Sequence, residues 1–121
     1  MTQITHPQLV TQLSKSGADI VAEMTSSKAH AIHMAVGISG ESGELLDAIK
    51  KAVIYNKPLD RENVVEELGD LEFYMEGLRQ GLGITRQETL EANISKLSKR
   101  YHSLTYTDRH AQERADKAAG Q

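Results

Sequence analysis

Two pairs of acidic residues have a spacing that could support chemistry. Glu41 and Glu44 form one pair, Glu67 and Asp70 form the other, and the members of each pair are three residues apart. Side chains at this spacing share one face of a helix. If the two helices pack antiparallel, four carboxylates meet in a small volume. Carboxylate oxygens are ligands of hard cations, so the set predicts a site for Mg²⁺, with Mn²⁺ as a substitute.

Such a set of carboxylates is costly without a cation, because like charges repel and partly buried charges lose hydration. Mg²⁺ commonly keeps water ligands and takes further oxygens from phosphates, so the site points to phosphate chemistry. The alternative is two ordinary solvated helix faces, and either pair alone would favour that interpretation. The presence of both pairs on successive predicted helices favours the metal site.

Glycines accompany both acidic pairs. Gly37, Gly40 and Gly43 recur at helical spacing around the first pair, and Gly69 lies inside the second. Each glycine costs about 1 kcal/mol relative to alanine within a helix. We therefore predict that another helix or a ligand approaches the backbone closely at these four positions.

Proline, glycine and capping residues divide the chain into four main helices. Gly17 is a point where the first of them could be interrupted, and Thr85 with Glu88 has the pattern of a capping box. The first predicted helix begins at Pro7. The second runs from about Lys28 to about Tyr55, after a cap within residues 25–27. The third runs from Asp60 to the glycines of residues 81–83, and the fourth from Thr85 to about Tyr101.

No stretch alternates with period two, so the predicted class is all-α, with an antiparallel, four-helix bundle-like arrangement. We expect one domain over residues 1–121, with a core of about residues 6–103. About residues 104–121 form a C-terminal arm, within which residues 108–119 are expected to be a short helix or an ordered segment.

Composition narrows the classes of function and partner. The net charge of −3 argues against a nucleic-acid partner, because general nucleic-acid binders present a basic face. The absence of cysteine excludes disulfides and thiolate metal sites. No apolar run approaches membrane-spanning length, so we expect no membrane partner and a cytoplasmic location. One phenylalanine and no tryptophan predict a thin aliphatic core, and hence a homodimer or homotetramer that covers the remaining apolar surface.

Three blocks of the sequence, in order, resemble the MazG-like family of all-α nucleoside triphosphate pyrophosphatases. Residues 41–44 and 67–70 match its E-x-x-E and E-x-x-D motifs, the latter within Glu-Glu-Leu-Gly-Asp. Residues 93–101, Asn-Ile-Ser-Lys-Leu-Ser-Lys-Arg-Tyr, are similar to its N-x-x-K-L-x-x-R block and the aromatic residue that follows. The resemblance covers roughly His30 to Tyr101. Residues 106–117 resemble the ends of small phage-borne members, for which the location would be the cytoplasm of the bacterial host.

The resemblance implies hydrolysis of a (deoxy)nucleoside triphosphate to the monophosphate and pyrophosphate, as a control on the nucleotide pool. It implies two sets of site residues. The Mg²⁺ ligands are Glu41, Glu44, Glu67 and Asp70. The substrate contacts are Asn93, Lys96, Arg100 and Tyr101.

The expected mechanism is attack of water on the α-phosphorus, with Glu41 or Glu44 accepting the proton. His30 lies on the helical stripe of Glu41, and His33 lies beside it, so both are candidates to line the nucleotide pocket. The alternative for each is a polar histidine near the start of a helix. The sequence leaves open which base and which sugar of the nucleotide substrate are preferred.

Two other functions were weighed against this one. A di-iron carboxylate bundle needs Glu-x-x-His pairs on two helices, and no glutamate here has a histidine three residues later. The remaining alternative is a non-catalytic helical interaction protein whose acidic groove binds a basic partner. That protein would need neither Mg²⁺ nor the cations Lys96 and Arg100.

Overall fold

The computed structural model describes residues 3–118, and these residues form helices joined by short connections, without a strand. The predicted all-α class is therefore confirmed. Residues 1–2 and 119–121 lie outside the described part, so the predicted arm is followed only to residue 118. The helices are α1 (His6–Leu13), α2 (Gly17–Glu23), α3 (Ser26–Val53), α4 (Arg61–Leu82), α5 (Arg86–Arg100), α6 (Asp108–Glu113) and α7 (Ala115–Ala118).

The first predicted helix is divided into α1 and α2. The break precedes Gly17, because Ser14 ends α1 and Ser16 begins α2, with its hydroxyl accepting from the backbone N–H of Asp19. The side chain of Ser16 satisfies one of the free backbone N–H donors at the N-terminus of α2. This cap favours the start of a new helix at Ser16 over the continuation of α1. The possible interruption predicted at Gly17 is thus real, and Ser16 is the residue that produces it.

The boundaries of α3, α4 and α5 follow local signals in the sequence. Thr25, Asp60 and Thr85 cap the three N-termini by accepting from the backbone N–H three residues later. Gly83 ends α4 in the left-handed conformation with φ 69°, where a glycine avoids the penalty of a Cβ atom. The turn between α3 and α4 uses Asn56 in the same region, with φ 52°. Asparagine tolerates this conformation better than most residues.

Helices α3 and α4 form an antiparallel hairpin, which is the most extensive packing in the described chain. Its register is defined by three contacts in which a side chain of one helix lies against a glycine of the other. These contacts are Gly37 with Tyr74, Met34 with Gly77, and His30 with Gly81. Because residue numbers rise on α3 as they fall on α4, this register also sets Glu41 opposite Asp70 and Glu44 opposite Glu67.

The hairpin encloses little core. Met34 and Ala48, both on the face of α3 that meets α4, are the buried apolar residues of the described chain. Many aliphatic side chains outside this contact stay exposed, including Val36, Leu46 and Val53 on α3. Despite this exposure, none of the described helices combines the length and the apolar character needed to cross a membrane.

Helix α5 packs mainly on the C-terminal helices α6 and α7. The link to α7 is an ion pair in which Arg100 Nε donates to Asp116 Oδ1 over 3.0 Å. The Asp116 side chain is only 5% exposed and the Arg100 side chain 17% exposed. The arm predicted from the polar tail is therefore ordered against α5 as far as residue 118.

Candidate metal centre

Three of the four predicted carboxylates converge between α3 and α4. Glu41 comes from α3, and Glu67 and Asp70 come from adjacent turns of α4. One oxygen of each lies within 4.8 Å of the others. Glu41 and Glu67 are half-buried and Asp70 is exposed. The antiparallel hairpin therefore gathers residues that are 26 and 29 positions apart in the sequence.

Glu44 lies outside this three-residue cluster, so its role as a fourth Mg²⁺ ligand stays a prediction. Three positions along a helix correspond to a rotation of about 300°, so Glu44 points about 60° away from Glu41. Its side chain is exposed. Glu44 is still near enough for its charge to act on Glu67.

The cluster raises the pKa of Glu67. The pKa of Glu67 is raised from 4.5 to about 7. The largest cause is a hydrogen bond shared with Glu41, followed by burial and by the negative charges of Glu41, Asp70 and Glu44. Its Oε2 atom is buried and has no hydrogen-bond partner among the described residues. A buried acceptor without a partner costs free energy, so the local arrangement is incomplete by itself.

The donor set fits a hard divalent cation. Three carboxylates offer oxygen ligands only, which suits Mg²⁺ or Mn²⁺ and disfavours metals that prefer nitrogen or sulfur. A cation would supply the partner that Glu67 Oε2 lacks and would offset the repulsion among the three carboxylates. Asp70, being exposed, leaves one side of the cluster open to solvent.

The glycines around the cluster act in two different ways. At Gly37, a Cβ atom would overlap the ring of Tyr74, so the predicted close approach of a helix is correct there. At Gly40, Gly43 and Gly69, a Cβ atom would meet nothing within 4 Å, so the same prediction is wrong for packing within the chain. These three positions leave open space beside the carboxylates.

Two glycines of α4 were missed by the sequence reasoning. Gly77 receives the thioether of Met34, and Gly81 receives the imidazole of His30. The sequence does contain a signal for these contacts. Tyr74, Gly77 and Gly81 follow Asp70 at steps of four, three and four residues, so all of them lie on the same face of α4. The sequence pattern explains Gly81 only as part of the signal that ends α4.

The two candidate histidines lie on α3 before Glu41, His33 about two turns and His30 about three turns of helix away from it. His30 Nε2 donates to the carbonyl oxygen of Gly77 over 2.8 Å. His30 also lines a cavity of about 420 Å³ with Phe73, which is one turn beyond Asp70 on α4. His33 meets the ring of Tyr74 edge-on, with centroids 6.3 Å apart. A nucleotide contact for either histidine stays a prediction.

The predicted substrate contacts on α5 are divided between two surfaces. Asn93 and Tyr101 line an apolar groove with Tyr106, whereas Lys96 lines a second groove with Lys99 and Lys117. The fourth contact, Arg100, is held by Asp116. Helix α5 does not pack extensively on α3 or α4 in the described chain, so these side chains are not brought to the carboxylates. Asp116 was not anticipated, because no spacing pattern links it to Arg100.

Comparison with known proteins identifies one domain family. A family model described as the MazG nucleotide pyrophosphohydrolase domain matches residues 30–105, which is more than half of the chain. The matched part contains the three clustered carboxylates and the whole of α5. No curated protein and no solved structure matches the chain. By the extent of the family match, the chain belongs to the MazG nucleotide pyrophosphohydrolase domain family.

Proposed function

We propose that the protein hydrolyses a (deoxy)nucleoside triphosphate to the monophosphate and pyrophosphate in a Mg²⁺-dependent reaction. Membership of the family supports nucleotide pyrophosphohydrolase activity in general. The observation that carries the finer proposal is the convergence of Glu41, Glu67 and Asp70 beside open space at Gly40 and Gly69. A ligand rich in phosphate oxygens could enter from that side.

Glu41, Glu67 and Asp70 are the residues that would hold the cation, with Mn²⁺ as a substitute for Mg²⁺. When bound, the cation would neutralise phosphate charge and lower the pKa of a water molecule. For Glu67 to serve as an anionic ligand, it must lose the proton that its raised pKa retains. Binding should therefore release protons near neutral pH.

Glu44 is the better candidate for the general base, with Glu41 as the second. The proton acceptor must be a free carboxylate within reach of the attacking water. Glu44 lies one turn from Glu41, is exposed and stays outside the cluster. Glu41 is instead engaged with Glu67. In this assignment Glu44 takes the proton as water attacks the α-phosphorus.

The substrate would be held by residues on α3 and α5. Lys96 and Arg100 supply positive charge for phosphate oxygens, and Asn93 and Tyr101 supply further contacts. The bond to Asp116 engages Nε of Arg100, so its two terminal nitrogens remain suited to a bidentate grip on a phosphate. His30 and His33 would line the nucleotide pocket, on the same helix as Glu41.

The test is a product analysis with Mg²⁺ and a panel of nucleotides. We expect monophosphate and pyrophosphate, and in heavy-oxygen water the label should enter the monophosphate, because attack is at the α-phosphorus. Diphosphate with orthophosphate would contradict the proposal, since it reports attack at the γ-phosphorus. Glu44→Gln should abolish product formation, and Glu62→Gln, an exposed acidic change on α4, should not. The alternative, an acidic groove that binds a basic partner, predicts no hydrolysis and no response to Mg²⁺.

A further inference from the structure

A basic groove of about 320 Å³ lies between α5 and α7. Lys96 and Lys99 line it from α5, Lys117 lines it from α7, and all three residues are exposed. The whole chain has a net charge of −3, so this concentration of positive charge is local. A cleft lined by one sign of charge raises the local concentration of ligands of the opposite sign. The groove is therefore suited to an anion.

One carboxylate also lines this groove. It belongs to Asp116 of α7, and its side chain is only 5% exposed. A carboxylate so little exposed needs a partner, because burial removes its hydration. That partner is Arg100 of α5, whose Nε donates to Oδ1 of Asp116 over 3.0 Å. Arg100 lies four residues after Lys96, so both residues are on the same face of α5.

The bond to Asp116 leaves Arg100 suited to a second anion. A guanidinium is planar, and its donors other than Nε–H are carried by the two terminal nitrogens. A bond at Nε restrains the plane of the group and leaves those nitrogens for another partner. A lysine could not be oriented in this way, because all of its donors are on one atom. Asp116 thus holds Arg100 by the edge that a bidentate grip on phosphate does not use.

A short phosphate chain is the anion that fits this arrangement best. Its neighbouring phosphates carry several charges close together, so several cations can bind one molecule at once. Lysine and arginine side chains are donors without acceptors, which matches the acceptor oxygens of phosphate. The small volume of the groove suits a small ligand, and the negative net charge of the chain does not favour nucleic acid.

We propose that α7 completes the site on α5 that binds the phosphate chain of the nucleotide. Asp116 is the positioning residue that orients Arg100, and Lys117 is a further cation that contacts phosphate oxygens beside Lys96. This inference rests on the proposed function, in which Lys96 and Arg100 hold the substrate phosphates. It goes beyond that assignment because it gives the C-terminal helix a role in binding.

The first experiment is a calorimetric titration of the full chain with inorganic pyrophosphate, without divalent cations, so that metal bound at the acidic cluster does not contribute. Lys117→Gln should weaken binding roughly tenfold, because a charged hydrogen bond to phosphate is lost. Arg109→Gln is the matched control, since it removes the same charge from an 82% exposed side chain of α6 that does not line the groove. It should leave the affinity nearly unchanged. A parent that does not bind pyrophosphate, or equal weakening in both variants, would overturn the proposal.

The second experiment tests the positioning role of Asp116. Removing a carboxylate from a basic groove would by itself strengthen the binding of an anion. We expect the opposite for Asp116→Ala, because Arg100 loses its orientation. Side-chain nitrogen NMR of the parent gives a readout that the docking of α7 alone would not move. On addition of pyrophosphate, the terminal-nitrogen signals of Arg100 should shift while its Nε signal stays in place. Tighter binding by Asp116→Ala, or unmoved terminal-nitrogen signals, would count against the positioning role.

Steady-state kinetics identify the source of the phosphate chain. With a nucleoside triphosphate and Mg²⁺, Lys117→Gln should raise KM, and Arg109→Gln should not. An unchanged KM in Lys117→Gln would also overturn the proposal, since the groove would then bind free pyrophosphate apart from the substrate. If the parent hydrolyses no nucleotide, but its binding of pyrophosphate is weakened by Lys117→Gln alone, the proposed function fails and the phosphate site is supported.

Discussion

The ring of Tyr74 occupies the space that the missing side chain of Gly37 leaves on α3. The same ring meets Phe73 at 90° with centroids 5.2 Å apart, and it meets His33 from the other helix. This contact is one turn of α4 beyond Asp70, so it helps to define how far α4 can slide along α3. The distance across the acidic cluster therefore depends on a residue that bears no charge.

Gly37→Ala should destabilise the protein. Overpacking against an aromatic ring costs about 1–3 kcal/mol. The higher helix propensity of alanine offsets about 1 kcal/mol of that cost. We expect a net loss of roughly 1 kcal/mol in the free energy of unfolding, measured with denaturant. Gly40→Ala is the control, because a Cβ atom there meets nothing within 4 Å. It should raise stability by up to about 1 kcal/mol. Equal effects of the two changes would contradict the observed register.

Substitutions of Asp70 and Glu44 should distinguish a Mg²⁺ ligand from the general base. Mg²⁺ should raise the melting temperature of the parent, because a ligand of the folded state adds about 2.7 kcal/mol at a hundred times its Kd. Asp70→Asn should remove most of that rise and leave the stability without Mg²⁺ equal or higher, since one repulsive charge is lost. Glu44→Gln should keep most of the rise and lose activity. If both variants keep the full rise, the cation binds elsewhere.

The raised pKa of Glu67 predicts a dependence of stability on pH in the absence of Mg²⁺. The folded state holds this proton more tightly than the unfolded state, so the contribution is complete below pH 4.5 and is lost as the pH rises through about 7. Melting temperatures should therefore fall over that window. Glu67→Gln should flatten this part of the curve, and the difference between the two curves isolates the contribution of Glu67. Glu66→Gln, an exposed neighbour, should keep the parent slope. A parent slope in Glu67→Gln would argue against the cluster.

The ion pair between Arg100 and Asp116 should hold the C-terminal helices α6 and α7 against α5. Burial would raise the pKa of Asp116, but the hydrogen bond and charge of Arg100 outweigh it and lower that pKa. Asp116→Ala should weaken the docking of α7 by about 1.5–3 kcal/mol, the range for hydrogen bonds to charged groups. Amide hydrogen exchange of residues 108–117 should accelerate accordingly.

The pair of Arg109 with Glu113 is the control for that measurement. Its side chains are 82% and 49% exposed, and exposed pairs contribute at most about 1 kcal/mol. Glu113→Ala should therefore have a smaller effect on exchange across the same residues. An equal acceleration in both variants would show that Arg100 does not anchor the arm.

The helix boundaries could be predicted from the sequence because they depend on neighbouring residues. Thr25, Asp60 and Thr85 cap helices by bonding to a backbone N–H three positions away, and Gly83 ends α4 through its own backbone conformation. Each of these interactions is complete within one turn of chain, so a local pattern contains the needed information. The spacing of the acidic pairs is local in the same sense.

The composition of the acidic cluster, the candidate metal centre, was decided by the tertiary structure. Local spacing treats Glu41 and Glu44 as equivalent, and only the packing of α3 on α4 turns Glu41 toward Glu67 and Asp70 and leaves Glu44 outside the three-residue cluster. The same register decides that Gly37 is filled and Gly40 is open. That choice depends on the packing of side chains 30 or more positions apart. The pairing of Arg100 with Asp116 also arises only in the folded chain, because it joins two helices through residues that are 16 positions apart.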